Sequence, residues 1–177
     1  MSINVNNILV TGGAGYIGSH IVELLIKRKF KVIIYDNLVT GRKRLINKKA
    51  KFIYGDIQNL KLLSKTIKNN NIDSIIHLAA YLNISESEKS KKKYYRNNIV
   101  GTLNLVKASK NTKVKNIIFS SSCSVYGNTK GSVSETHKLN PKSYYAFTKY
   151  KGEEIIKKFS NKFNLNYGIL RYFNVAG

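Results

Sequence analysis

The stretch "SYYAFTKYKGEE" spans residues 143–154 and places two tyrosines ahead of two lysines. A phenol ionises near pH 10, so it becomes a useful base near neutrality only if its pKa falls by roughly three units, about 4 kcal/mol. A fixed ammonium nearby favours the phenolate. If the stretch is helical, residues four apart share a face. Tyr145 then has Lys149 one turn on, whereas Tyr144 has Thr148, which carries no charge. Spacing therefore selects Tyr145 and Lys149 as a candidate base and its cation. Tyr144 and Lys151 become flanking positions for packing or surface. A tyrosine four residues before a lysine is also common on ordinary amphipathic helices, so the pair needs company.

That company begins at "NILVTGGAGYIGSHIVELL". Gly12, Gly15 and Gly18 fit G-x-x-G-x-x-G, and Gly13, Gly15 and Gly18 fit G-x-G-x-x-G. The glycines follow an apolar strand and open a helix, which is the context that gives such a pattern meaning. They let the backbone turn tightly against a pyrophosphate, while the helix N-terminus offers N–H groups and a positive dipole end. Asp36 lies eighteen residues after Gly18 and ends the next apolar run. At that distance an acid meets the adenosine ribose hydroxyls and repels a 2′-phosphate, which favours NAD over NADP. Asp56 ends a third strand, where it serves equally well at the adenine edge or as a helix N-cap.

The elements that must position these groups alternate along the chain. Short apolar strands read at 7–12, 31–36, 51–56, 72–80, 114–122 and 165–173, and helices at 16–29, 60–70, 97–110 and about 143–163. Continuous apolar strands alternating with helices predict one α/β domain: a Rossmann-type, doubly wound parallel sheet with helices on both faces. Ligands of such a sheet bind at the carboxyl ends of its strands.

Composition narrows the rest. The 177 residues suffice for one domain with a sizeable core. The net charge of +22, from 31 Lys+Arg against 9 Asp+Glu, raises nucleic acid as a partner. Lysine dominates over arginine, the excess is spread along the chain, and Asn, Ile and Tyr rise with it as A/T-rich codons would produce. A solvated basic surface is therefore expected, with no nucleic-acid and no membrane partner. Cys123 is the only cysteine, so no intrachain disulfide can form. The start "MSINVNNILV" has neither a basic nor a long apolar leader region, which makes the cytoplasm the expected compartment. His20, His77 and His137 have no metal-site spacing, and no metal is expected. His77 reads as a satisfied residue at a strand end.

The blocks "ILVTGGAGYIGSH", "YDNLVTG", "GDI", "IIHLAA", "YYRNNIVGTLNLV", "IIFSSSCSVYG", "YYAFTK" and "LRYFNVAG" follow one another over nearly the whole chain. In that order they resemble the extended short-chain dehydrogenase/reductase family, and within it the UDP-glucose 4-epimerases. The resemblance implies residue roles. Gly12, Gly15, Tyr16, Ile17 and Gly18 border the pyrophosphate of NAD. Asp36 and Asn37 hold the adenosine ribose, while Asp56 and Ile57 flank the adenine. Leu78, Ala79 and Ala80 line the cofactor, and Asn98 and Phe173 lie near its nicotinamide end. Ser122, Tyr145 and Lys149 match the catalytic set, with Tyr145 and Lys149 also against the cofactor. Ser122 and Tyr145 meet the sugar, and Asn174 a substrate phosphate.

The implied activity is NAD-dependent interconversion of UDP-galactose and UDP-glucose through a 4-keto intermediate. Related dehydratases carry an Asp-Glu pair where this chain has Cys123 and Ser124, which disfavours elimination of water. Three departures fall at the cofactor and sugar border: Leu82 replaces a usual lysine, Ser85 a usual glycine, and the proline before "YY" is absent. Alternatives within the resemblance are a 4-epimerase of UDP-N-acetylglucosamine or UDP-glucuronate, another sugar-nucleotide dehydratase, or an NAD-binding module without turnover. Complete members continue beyond "RYFNVAG" into a smaller sugar-binding domain and form homodimers. Residues 1–177 are accordingly expected to be the N-terminal NAD-binding portion, with that second domain absent.

Overall fold

The computed structural model describes residues 7–176. Six strands form one wholly parallel sheet: β1 (Asn7–Thr11), β2 (Lys31–Asp36), β3 (Lys51–Tyr54), β4 (Ser74–His77), β5 (Asn116–Ser122) and β6 (Asn166–Tyr172). Their spatial order is β3-β2-β1-β4-β5-β6. The chain reverses direction across the sheet between β1 and β4, and a crevice opens beyond the strand ends at that point.

Side-chain alternation in the strands builds two cores. On one face Ile8, Val10, Val32 and Ile34 pack with Val22 of α1 (Tyr16–Lys27). On the other, Leu9, Ile33, Tyr35, Ile75 and Ile117 pack with Leu63 and Ile67 of α2 (Leu60–Asn69), Leu105 of α5 (Gly101–Ala108) and Ile156 of α6 (Tyr144–Phe163). Helices thus lie on both faces, as expected. The Ser143 side chain caps α6 by accepting from Ala146 N at 3.1 Å.

The structure departs most from the sequence expectation at three places. The fourth strand stops at His77, not at residue 80. Its partner β1 ends at Thr11, and Gly12 turns the backbone away at φ 73°; Leu78 N makes the last bond, to Thr11 O at 3.0 Å. The third strand stops at Tyr54, which leaves Asp56 in the following loop. Before residue 97, where no element was expected, lie α3 (Ile84–Lys89) and α4 (Lys91–Tyr94), and the start of the helix expected at 97–110 is a π-helical turn over Tyr95–Val100. The lysines of "KSKKKYYR" mask this region's anchor: Tyr94 is fully buried and donates its hydroxyl to Asn83 O at 2.7 Å and Glu86 at 2.9 Å.

Candidate functional site

The glycine loop is folded as tightly as backbone allows. Gly12 donates to Tyr35 O at 3.0 Å, and a Cβ on it would lie 2.7 Å from Ala79 N. A Cβ on Gly18 would lie 2.2 Å from Gly12 O. No side chain caps α1 at Gly15, and no acid stands in its first turn. The positive end of α1 is therefore turned on a cleft whose walls are the glycine loop itself.

Asp36 braces this loop. Its carboxylate accepts from Ala14 N at 3.0 Å and from Leu38 N at 2.8 Å, and a Cβ on Gly41 would touch it at 2.7 Å. Asn37 donates to Asp56 Oδ2 at 2.9 Å, while Asp56 Oδ1 accepts from Gln58 N at 2.7 Å. The N-cap alternative for Asp56 is overturned, because Asn59 caps α2 by accepting from Leu62 N at 3.0 Å. Gly12, Gly15, Tyr16, Ile17, Gly18, Asp36, Asn37, Ile57, Leu78, Ala79 and Ala80 all line one cleft.

Ser122, Tyr145 and Lys149 converge beyond the end of β5. Ser122 is the last residue of that strand, Tyr145 stands in the first turn of α6, and Lys149 follows one turn on. Lys149, only 3% exposed, donates to Ser120 O at 2.8 Å. Its Nζ lies 5.9 Å from the Tyr145 ring centroid and 5.4 Å from that of Phe119. Burial pushes the ammonium down to about 8. Tyr145, 8% exposed, is held above the usual phenol value by burial; a hydrogen bond from Ser122 opposes that shift, and nearby Cys123 adds to it. Without further positive charge, the pair is thus a neutral phenol beside a weakened ammonium.

Asn98, Phe173 and Asn174 fall elsewhere. The buried Asn98 side chain accepts from Tyr81 N at 3.0 Å and Asn97 at 2.9 Å, and donates to Tyr81 O and Thr148, each at 3.1 Å. It is a brace, and its neighbour Asn97 lines the cleft instead. Phe173 is 64% exposed and borders a separate cavity of about 600 Å³ along β6, and Asn174 is an exposed residue just past that strand. Among residues the sequence did not single out, Ser120 lines the cleft and anchors Lys149. Strand period places it on the same face as Ser122, a signal that was available. Glu153 was hidden in "KGEE"; it is buried, accepts from Ser121 at 2.6 Å, and forms a two-point ion pair with Arg171 at 2.9 and 2.8 Å. That pair ties α6 to β6. No group of three His, Cys, Asp or Glu side chains that could hold a metal occurs among the described residues, and none of the helices is long and apolar enough to cross a membrane.

A sequence profile of the NAD dependent epimerase/dehydratase family matches residues 8–177. The chain belongs to this family. A UDP-glucose 4-epimerase from Lactobacillus helveticus is 43% identical over 171 residues, covering 96% of this chain and 52% of that protein. The crystal structure of a UDP-glucose 4-epimerase from Brucella ovis in complex with NAD superposes with a TM-score of 0.93 at 39% identity, over 97% of this chain and 53% of that one. A UDP-N-acetylglucosamine 4-epimerase from Methanobrevibacter ruminantium, in complex with UDP-N-acetylmuramic acid, gives 0.90 at 39% identity over 99% and 57%. The chain spans about half the length of the relatives it matches.

As an NAD-dependent family member, this chain has a cradle whose fit can be probed at one atom. Gly18→Ala forces a methyl against Gly12 O, a backbone atom that cannot swing aside. Such overpacking costs on the order of 1–3 kcal/mol, taken from folding, from NAD affinity or from both. Calorimetric NAD titration and thermal denaturation of the variant should together recover that loss; a variant matching the parent in both measurements contradicts the cradle.

Proposed function

We propose that this chain is the NAD-binding portion of a UDP-sugar 4-epimerase acting on UDP-galactose and UDP-glucose. The observation that carries this reading is the meeting of Ser122, Tyr145 and Lys149 at the end of β5, beside the cleft lined by the glycine loop and Ser120. Gly12, Gly15, Gly18 and the N-terminus of α1 would hold the pyrophosphate of NAD, and Asp36 with Asn37 the adenosine ribose. When bound there, NAD would supply the hydride-accepting and hydride-donating chemistry at C4′ of the sugar.

The side chains manage the proton. Ser122 hydrogen-bonds the sugar 4′-hydroxyl and passes its proton toward Tyr145. Burial keeps Tyr145 a phenol, so phenolate formation requires added positive charge. The positive ring of oxidised NAD would supply that charge when bound, with the Lys149 ammonium one helical turn away supporting the phenolate once it forms. Cys123 and Ser124 offer no carboxylic acid for eliminating water, which favours epimerisation over dehydration.

Tyr145→Phe tests the assignment. It should leave NAD affinity within about threefold and lower interconversion of UDP-galactose and UDP-glucose by at least about a hundredfold, the usual worth of a general base. Full activity of this variant would remove Tyr145 from the mechanism. The relative from Methanobrevibacter ruminantium, as similar in sequence as the one from Brucella ovis, supports a second reading in which the sugar is N-acetylated. Turnover confined to UDP-N-acetyl sugars would select it. Bound NAD without turnover of either class would leave a binding module.

A further inference from the structure

His77 is a buried titratable group for which the proposed chemistry has no use. It ends β4, is 2% exposed, and stands between two threonines. Its Nδ1 lies 2.7 Å from Thr11 Oγ1 and its Nε2 lies 3.0 Å from Thr102 Oγ1. Thr102 spends its one hydroxyl proton on Asn98 O at 2.6 Å. Its oxygen can then only accept from the imidazole, so Nε2 carries the proton. Nδ1 is left as an acceptor, and the Thr11 hydroxyl donates to it. Burial agrees with a neutral ring, holding the imidazole down at about 3, with the Lys149 charge adding to the effect.

The row continues beyond the π-helical turn. The Asn98 side chain donates to Thr148 Oγ1 at 3.1 Å, and the Thr148 hydroxyl donates to Tyr145 O at 2.7 Å. Every donor points the same way, from Thr11, directly before Gly12, to the backbone of Tyr145. Both ring nitrogens of a buried histidine need partners; here the partners come from two different elements, the end of β1 and α5, so the ring joins them.

We propose that His77 is a positioning residue: as a neutral imidazole protonated on Nε2, it bridges Thr11 and Thr102 and so holds the phosphate loop and the helix carrying Tyr145 in a fixed mutual placement. The inference rests on the reading of Tyr145 above, but its test uses no turnover, so failure of the epimerase reading would leave the outcome legible.

The test uses the 177-residue chain with ¹³C-labelled tyrosine, the Tyr145 resonance being assigned from Tyr145→Phe. His77→Leu keeps bulk and removes both hydrogen bonds, while His77→Gln restores a donor toward Thr102. In His77→Leu the Tyr145 resonance should be displaced or broadened before any NAD is added, and NAD affinity by calorimetry should fall about tenfold. His77→Gln should recover the parental resonance and most of the affinity. Parental resonance and affinity in His77→Leu would overturn the proposal, and so would equal impairment of both variants, which marks packing alone. Should His77→Leu fail to fold, ¹⁵N spectra of histidine in the parent decide instead. A proton on Nδ1 at pH 7 overturns the bridge, and a bare Nδ1 with a protonated Nε2 upholds it.

Discussion

Replacing Lys149 by methionine should make the folded chain more stable and, under the proposed function, stop turnover. The ammonium is buried with one hydrogen-bond partner, Ser120 O, and two aromatic faces. The nearest acid along the helix, Glu153, is already taken by Arg171 and Ser121. Burial therefore lowers the Lys149 pKa from 10.5 to about 8, a shift worth about 3 kcal/mol against the charged form. The sign follows from proton counts. Between those two values the unfolded chain binds more protons than the folded one, so stability rises with pH across that window. The penalty is full below pH 8 and gone above 10.5. Methionine fills similar space without charge and forfeits one hydrogen bond worth about 1 kcal/mol. The net gain at pH 7 should be about 2 kcal/mol, giving way above pH 10.5 to the roughly 1 kcal/mol cost of the lost hydrogen bond. Urea denaturation of both proteins at pH 7 and pH 10 reads this directly. A less stable variant at pH 7 would mean that the ammonium is compensated and the account is wrong. The same substitution removes the cation beside Tyr145, so interconversion should fall at least about a hundredfold, as for loss of general-base function.

A group kept at a cost to stability is what a working site predicts, and it bears on what could be read from the sequence. Tyr145 was separable from Tyr144 because helix period is a local property. Tyr144 indeed lies against Phe147, 5.6 Å between centroids, with Lys91 over its ring, and Lys151 pairs with Glu154 on the exposed face. The phosphate loop was legible for the same reason, since its glycines, strand and helix are contiguous. The end of β4 was not, because it depends on Gly12 turning away just after a different strand, β1. The region 84–94 was not, because its lysines are solvated and its anchoring contacts, from Tyr94 to Asn83 and Glu86, cross a turn. Nor was the role of Asn98, whose partners Tyr81 and Thr148 lie 17 and 50 residues away. The lysines of Lys27–Glu23, Lys93–Glu86 and Lys151–Glu154 pair at the exposed surface, whereas Arg171 pairs with the buried Glu153.

Acidification below pH 6.5 should cost the folded chain stability through His77. The ring is fully buried between Thr11 and Thr102, with the Phe119 ring at 5.7 Å and the Lys149 charge beyond. A second proton would have to enter at Nδ1, where Thr11 would have to reverse its hydroxyl, while the Lys149 charge repels it and Thr102 already accepts from Nε2. The folded pKa is lowered from 6.5 to about 3. Between those values the unfolded chain holds the extra proton, so stability is lost as pH falls below 6.5, approaching about 1.4 kcal/mol per pH unit. From pH 7.5 to 4.5 the loss should reach about 2.5 kcal/mol. Exposed carboxylates with lowered pKa values, Glu23, Glu86 and Glu154, contribute at and below their ordinary 4.5. His77→Gln carries no titrating group, so it should escape the His77 share. Its stability relative to the parent, from denaturant titrations at a series of pH values, should improve by about 2.5 kcal/mol over that interval. A stability difference that stays constant with pH would show that the folded protein takes up a proton on His77, and a hydrogen-bonded row that depends on a neutral ring could not then hold.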